Sequence, residues 1–98
     1  MIHIRGLEID TTKCQVVRDG QTIELTKKEY ELLTFMAKNE GTIYSREQLL
    51  GEVWGYDGFY GDTSSVDVTV SRLRSKLEKD AGKPEYLFTK RGMGYYIK

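Results

Sequence analysis

The 98-residue sequence predicts one α+β domain in which an N-terminal antiparallel sheet precedes three helices and a C-terminal β-hairpin. Three observations support this fold class. Short apolar runs fill residues 2–25, two capping motifs open helical patterns within residues 26–54, and apolar residues recur at helical spacing over residues 63–80. With 39% hydrophobic residues, the chain can bury one core but is too short for two. We therefore expect residues 1–98 to form a single domain.

The first 25 residues predict three or four short antiparallel strands. Apolar residues cluster in residues 2–4, 7–9, 15–17 and 22–25. Asp19-Gly20 separates the last two runs, and an Asp-Gly pair between apolar runs is a strong hairpin signal. Cys14 alternates with Val16, so we expect a small buried side chain at Cys14 and no reactive thiol.

Two capping motifs predict the first two helices. Thr26 and Glu29 have the spacing at which a hydroxyl and a carboxylate cap each other's backbone N–H groups, and Ser45 and Gln48 repeat that spacing. The first helix should end at residues 39–41. The second should extend to Trp54, and residues 42–44 between the helices can form a strand.

Residues 55–62 interrupt the helical pattern with three glycines and three aromatic residues, Tyr56, Phe59 and Tyr60. Such a segment cannot form a regular helix. Its rings can fold back onto the core as a lid or remain exposed to contact a partner. The sequence alone leaves both alternatives open.

The third helix, over residues 63–79, has two contrasting faces. Val66, Val70, Leu73 and Leu77 fall within roughly 60° of one another, which predicts a buried stripe. The opposite face lacks a central carboxylate and carries Ser64, Val68, Ser71, Arg72, Ser75 and Lys79, with Thr69 and Lys76 at its edge. A helix with this surface can enter a DNA major groove about 12 Å wide. An ordinary solvated helix is the alternative.

The charge is unevenly distributed along a chain that is formally neutral. Residues 1–62 contain seven Lys/Arg and eleven Asp/Glu, net −4, whereas residues 63–98 contain eight and four, net +4. This asymmetry is typical of an acidic body with a basic nucleic-acid-binding surface. Within the basic part, residues 86–89 and 95–97 predict a hairpin, and Gly92 and Gly94 should supply positive φ angles for its turn.

Several function classes are disfavoured by composition. His3 is the only histidine and Cys14 the only cysteine, so neither an internal disulfide nor a structural zinc site is expected. The carboxylates are dispersed and no cofactor motif occurs, so we expect no enzyme and no cofactor. Without a long apolar run or a signal-peptide pattern, we expect no membrane association and a cytoplasmic location.

The order of these elements and four of their segments resemble one known family. The segments are residues 25–33 (LTKKEYELL), 45–50 (SREQLL) with 53–55 (VWG), 66–74 (VDVTVSRLR) and 89–95 (TKRGMGY). They resemble the winged helix-turn-helix effector domain of the OmpR/PhoB response regulators. The resemblance implies a bacterial two-component (phosphorelay) protein in which a receiver domain, absent from this chain, is controlled by a sensor kinase. It also implies binding to direct repeats in double-stranded promoter DNA, as head-to-tail pairs.

The resemblance also implies roles for individual residues. Arg72 would read base edges, and Val68 and Thr69 would face the groove beside it. Phosphate or wing contacts are implied for Trp54, Arg74, Thr89, Arg91 and Tyr95, and contact with RNA polymerase for Tyr56, Phe59 and Tyr60. For Trp54, core packing remains an equal alternative.

Two departures from the family pattern affect the expected affinity. Ser64 and Ser71 stand where the family often has arginine. Because each lost phosphate contact weakens binding, we expect lower affinity than is usual and greater reliance on cooperative pairing. A protein-interaction module is the competing function. It would need an apolar outer face on the third helix, where only Val68 is apolar.

Overall fold

The computed structural model describes residues 1–55 and 63–98 and has the predicted α+β architecture. Strands β1 (Ile2–Ile4), β2 (Leu7–Asp10), β3 (Gln15–Arg18) and β4 (Gln21–Ile23) form an antiparallel sheet in sequential order. Helix α1 (Lys27–Lys38), helix α2 (Arg46–Leu49) with a π-helical turn (Leu50–Trp54), and helix α3 (Ser64–Leu77) follow. Strands β5 (Leu87–Lys90) and β6 (Gly94–Ile97) form the C-terminal hairpin, which we call the wing. The winged helix-turn-helix fold class is thereby confirmed.

The four-stranded sheet has one face toward the core, as the apolar alternation predicted. Leu7, Ile9 and Val16 are buried, and Ile9 pairs with Val16 across β2 and β3. Between β3 and β4 the turn contains Asp19 and Gly20, both with positive φ. The Asp-Gly hairpin signal is therefore confirmed.

The prediction of a buried strand position for Cys14 was wrong. Cys14 is exposed and has a φ of 53°, because it belongs to the turn that connects β2 to β3. The Asp10 carboxylate accepts hydrogen bonds from the backbone N–H groups of Thr12 and Lys13, at 3.0 and 3.1 Å. A side chain that bonds its own following backbone stabilises a turn, so β3 begins only at Gln15.

Both predicted capping boxes are present. Thr26 and Glu29 exchange hydrogen bonds of 3.3 and 3.0 Å, and Ser45 and Gln48 exchange bonds of 3.1 and 2.8 Å. The Glu29 carboxylate is also buried and lies 2.7 Å from the Lys76 ammonium, so this cap joins α1 to α3. Burial raises the pKa of Glu29, but the hydrogen bonds from Lys76 and Thr26 outweigh it and leave the pKa below its usual value.

The predicted second helix and the segment before it differ in detail from the structure. Regular α-helix ends at Leu49 and a π-helical turn continues to Trp54. Residues 42–44 do not form a strand of their own. Tyr44 instead makes one isolated bridge to Tyr95, in which the two residues exchange backbone hydrogen bonds of 2.9 Å.

Helix α3 is shorter than predicted. It ends at Leu77, and Glu78 is already extended, with φ −87° and ψ 146°. The buried Glu78 carboxylate accepts the backbone N–H groups of Glu85, Tyr86 and Leu87 at 2.8, 3.1 and 2.8 Å. These bonds hold the chain between α3 and the wing, so Lys79 lies outside the helical face to which it was assigned.

The core lies between the sheet, the three helices and the inner face of the wing. The predicted α3 stripe is confirmed, because Val66, Val70, Leu73 and Leu77 are all buried. Among the described residues, no helix has the length and apolar character needed to cross a membrane. The predictions for Tyr56, Phe59 and Tyr60 concern residues outside the described ranges.

Candidate nucleic-acid interface

The outward face of α3 carries the predicted base-reading residues. Arg72 is exposed, and within the described part of the chain it has no hydrogen-bond or ion-pair partner. Val68 is 46% exposed although it is apolar. Thr69 is half-buried, and its hydroxyl donates to the Ser65 carbonyl at 2.8 Å. Because this bond uses the only hydroxyl hydrogen, Thr69 offers an outside partner a methyl group and no donor.

Arg74 connects α3 to the wing. Its Nε donates to the Leu87 carbonyl at 3.0 Å, and its Nη2 donates to the Thr89 hydroxyl. The guanidinium carbon also lies 5.5 Å from the centre of the Tyr95 ring. Thr89 is exposed and accepts the bond from Arg74, so its own hydroxyl hydrogen remains able to bond a phosphate oxygen.

Tyr95 is buried, and its hydroxyl donates to Asp67 Oδ1 at 2.7 Å. Burial raises the pKa of the phenol, and the hydrogen bond to Asp67 raises it further. The hydroxyl therefore stays protonated at neutral pH. A phenol has a single O–H donor, so Tyr95 cannot also donate to a phosphate while it is bonded to Asp67.

Arg46, at the start of α2, belongs to the same cluster. Its Nε lies 2.8 Å from Asp67 Oδ1, so one carboxylate oxygen binds both Arg46 and Tyr95. The cluster thereby links α2, α3 and the wing. Neither Arg46 nor Asp67 was predicted from the sequence as a site residue, because they are 21 residues apart and no local pattern pairs them.

The wing presents two cations on a rigid base. Lys90 and Arg91 are exposed and, within the residues that the structure describes, have no ion-pair partner. The Met93 N–H donates to the Lys90 carbonyl at 2.9 Å and closes the turn, in which Gly92 has the predicted positive φ of 76°. Gly94 also has a positive φ, of 145°, but its main constraint is packing.

Gly94 packs directly on the backbone that precedes α2. A Cβ atom at this position would lie 1.9 Å from the Tyr44 carbonyl oxygen. Only glycine permits that approach, which the two Tyr44–Tyr95 hydrogen bonds maintain. The wing is therefore fixed against the start of α2.

Trp54 lies at the opposite end of the helix-turn-helix. It is half-buried and packs against the core. The Lys28 ammonium lies 5.5 Å from its ring centre and donates to the Val53 carbonyl at 3.2 Å. Trp54 thus has a packing role, and its exposed part leaves the phosphate contact a prediction.

Local charge around α3 and the wing is more positive than the sequence count indicates. Of the four carboxylates in residues 63–98, Asp67 bonds Arg46 and Tyr95, and Glu78 is buried in backbone hydrogen bonds. The other two, Asp80 and Glu85, lie in the turn between α3 and β5. The exposed side chains of α3 and the wing turn therefore combine small hydroxyls with Arg72, Lys90 and Arg91.

Comparison with known proteins identifies the family. Residues 20–97 match the family described as "Transcriptional regulatory protein, C terminal". The chain belongs to this family. Its membership agrees with the OmpR/PhoB resemblance, since the response regulator DrrB of Thermotoga maritima, an OmpR/PhoB homologue, has 35% sequence identity and a TM-score of 0.87. That match covers 98% of this chain and 43% of DrrB.

Two further structures extend the comparison for this transcriptional regulatory C-terminal domain. A redox sensor of the streptococci, evolved from two-component response regulators, is 38% identical with a TM-score of 0.88, over 100% of this chain and 42% of the sensor. The DNA-binding domain of RstA from Klebsiella pneumoniae, solved in complex with the RstA box, is 36% identical with a TM-score of 0.84. That match covers 98% of this chain and 94% of the RstA domain. The chain thus spans about two fifths of the two longer regulators.

Proposed function

We propose that this domain binds double-stranded promoter DNA sequence-specifically, as the effector domain of a two-component response regulator. The observation that carries the proposal is the exposed face of α3, where Arg72 has no partner among the described residues and stands beside small hydroxyl side chains. Family membership and the DNA complex of the similar RstA domain support the same conclusion. An intercistronic DNA complex of the AdeR domain, which is 30% identical, adds to that support.

In this proposal α3 lies in the major groove and the wing contacts the backbone or the minor groove. The exposed Arg72 guanidinium can donate two hydrogen bonds to guanine O6 and N7. Val68 and the methyl group of Thr69 offer apolar contacts to a thymine methyl. Readout at base edges by α3 would then determine which sequence is preferred.

The remaining candidate residues fall into two groups. Arg91, Thr89 and Trp54 present exposed or partly exposed groups to the phosphate backbone, which sets the register of the protein on DNA. Arg74 and Tyr95 are engaged in internal contacts that join α3 to the wing, so we assign them to positioning these elements.

The wider context is also part of the proposal. We infer a longer bacterial regulator in the cytoplasm, with a receiver domain controlled by a sensor kinase, and paired head-to-tail binding to direct repeats. Contact with RNA polymerase through Tyr56, Phe59 and Tyr60 is proposed from the family resemblance alone. We assign no enzymatic activity. A protein-interaction module gains little support, because Val68 is the only apolar residue exposed on α3.

Selection of the domain against a random duplex library tests the proposed function. We expect enrichment of a short repeat, followed by titrations in which the selected duplex binds more tightly than a scrambled duplex at two salt concentrations. Affinity for both duplexes should fall with salt, because cations that neutralise phosphates release counterions. Failure to enrich any sequence, together with salt-insensitive or absent binding, would contradict the proposal.

A further inference from the structure

A cleft of about 200 Å³ lies between the wing and the start of α2. Arg46 lines one side and Lys90 the other, so two cations from different elements face the same space. Thr89 and Ser45 contribute hydroxyl groups, and Glu47 is the acidic side chain among the lining residues. The sequence patterns and the family resemblance assigned no role to Arg46 or Lys90.

Arg46 is held in a fixed orientation within this cleft. Asp67 binds its Nε at 2.8 Å, yet the Arg46 side chain remains 54% exposed. A guanidinium has five N–H donors, so those on the two Nη nitrogens remain for an outside acceptor. Hydrogen bonding to Tyr95 and to Asp67 raises the pKa of Arg46 above its usual value, and the group stays charged.

The two walls of the cleft are held together. On the wing side, Gly94 packs on the Tyr44 carbonyl, and Tyr44 and Tyr95 exchange two backbone hydrogen bonds. On the helix side, Asp67 of α3 binds both Arg46 and Tyr95. A ligand would therefore meet donors that are already in place, which reduces the entropy lost on binding.

We propose that this cleft binds one phosphodiester group of the DNA backbone, with Arg46 as the main ligand and Lys90 and the Thr89 hydroxyl as supporting donors. The inference rests on the proposed function. Position favours a DNA phosphate over a free anion, because Asp67, which holds Arg46, directly precedes Val68 on α3, and Lys90 directly precedes Arg91 on the wing. A strand that passes from one contact element to the other must cross the cleft.

Asp67 and Tyr95 act in this site as positioning residues. Neither donates to the phosphate, and Asp67 carries a charge that repels DNA. Removing that charge without loss of orientation should strengthen binding. If Asp67 instead serves to aim Arg46, its removal should weaken binding. The two explanations therefore predict opposite signs for the Asp67→Asn variant.

The first experiment pairs Arg46→Met with single methylphosphonate substitutions along the selected duplex. Wild-type protein should lose about tenfold in affinity at one backbone position, the loss expected for one charge-assisted hydrogen bond. Arg46→Met should lose a similar factor on unmodified DNA, on cognate and random duplexes alike, and should no longer respond to methylphosphonate at that position. The slope of log K against log salt should become shallower by about 0.9.

Lys13→Met is the matched control, because it removes an exposed cation from the turn between β2 and β3. Its salt slope should equal that of the wild-type protein. If Arg46→Met retains sensitivity to methylphosphonate at every position, the cleft assignment is overturned. A wild-type domain that selects no sequence at all would instead overturn the proposed function, so the two failures are distinguishable.

Asp67→Asn and Tyr95→Phe separate aiming of Arg46 from displacement of the wing. Asp67→Asn should bind DNA several-fold more weakly, with a shallower salt slope, whereas Tyr95→Phe retains the Arg46–Asp67 pair and should keep the wild-type slope. Equal or tighter binding by Asp67→Asn, or equal loss of slope in both variants, would overturn the role assigned to Arg46. Thermal denaturation of each variant verifies that it is folded.

Inorganic phosphate provides the last arm of the test. When it replaces chloride at constant ionic strength, it should leave the affinity for DNA unchanged, because the open cleft offers a free anion only part of the contacts that DNA receives. Saturable binding of phosphate that competes with DNA would overturn the assignment of a DNA phosphodiester as the ligand.

Discussion

Replacing Glu78 with glutamine should destabilise the whole domain and displace the wing. The Glu78 carboxylate is buried and accepts three backbone N–H groups between α3 and β5. Glutamine has one acceptor oxygen, which can serve two of those donors at most from one side. The amide NH₂ group then meets the remaining backbone N–H, and two donors face each other with no acceptor between them.

The magnitude follows from these three bonds. Hydrogen bonds to a charged group contribute about 1.5–3 kcal/mol each and neutral ones about 0.5–1.5 kcal/mol, and a buried unsatisfied donor costs about 1–3 kcal/mol. One bond lost and two weakened should lower the free energy of unfolding by about 2–4 kcal/mol. For a domain of this size, the melting temperature should fall by about 10–20 °C.

Urea and thermal denaturation followed by circular dichroism measure this loss. Glu85→Gln is the matched control, because it removes the same charge from an exposed side chain seven residues away. Its effect should stay within about 0.5 kcal/mol. If Glu78→Gln is destabilised by less than about 1 kcal/mol relative to the wild-type protein, the stabilising role assigned to the carboxylate would be refuted.

Three further predictions concern the interface and the helix caps. Arg72→Ala should cost about 1–3 kcal/mol on the selected duplex and little on random DNA, whereas Arg91→Ala should weaken all duplexes alike; equal losses by Arg72→Ala on both duplexes would contradict base readout. Gly94→Ala should lower the melting temperature and DNA affinity together, because its Cβ would meet a backbone carbonyl, whereas Gly92→Asn should retain both, since asparagine tolerates a positive φ; a fully stable Gly94→Ala would exclude that clash. Because the pKa of Glu29 is lowered in the folded state, its charge contributes stability above about pH 4.3, and this contribution is lost as the pH falls through the folded-state pKa. Glu29→Gln should therefore be less stable than the wild-type protein at neutral pH, and the difference should shrink below about pH 4.3 in denaturation curves; a difference independent of pH would refute the charge effect.

Local patterns were sufficient wherever the stabilising partners lie within a few residues. The Thr26–Glu29 and Ser45–Gln48 boxes connect residues three apart, and the Asp19-Gly20 turn depends on its own backbone angles. These features appeared as predicted. Cys14 shows the limit of this reasoning, because alternation continued through it while the neighbouring Asp10 stabilised a turn instead.

The candidate site was predictable in part. The exposure of Val68 and Arg72 follows from helical periodicity, which places them opposite the buried stripe. Tyr95 was expected to donate to phosphate, but its only donor is directed at Asp67, 28 residues away. Arg46 was absent from the residues predicted from the sequence for the same reason.

By itself, the sequence determined the α+β class, the capped helices, the buried stripe of α3 and the separation of an acidic body from a basic C-terminal third. These properties depend on periodicity and on contacts between near neighbours in the chain. Tertiary structure alone decided where α3 ends, because the bonds of Glu78 reach seven to nine residues ahead. It also decided the position of the wing, because Gly94 packs on the backbone of Tyr44, and Asp67 joins Arg46 to Tyr95. Such contacts unite residues that only folding brings within bonding distance, so no local pattern in the chain encodes them.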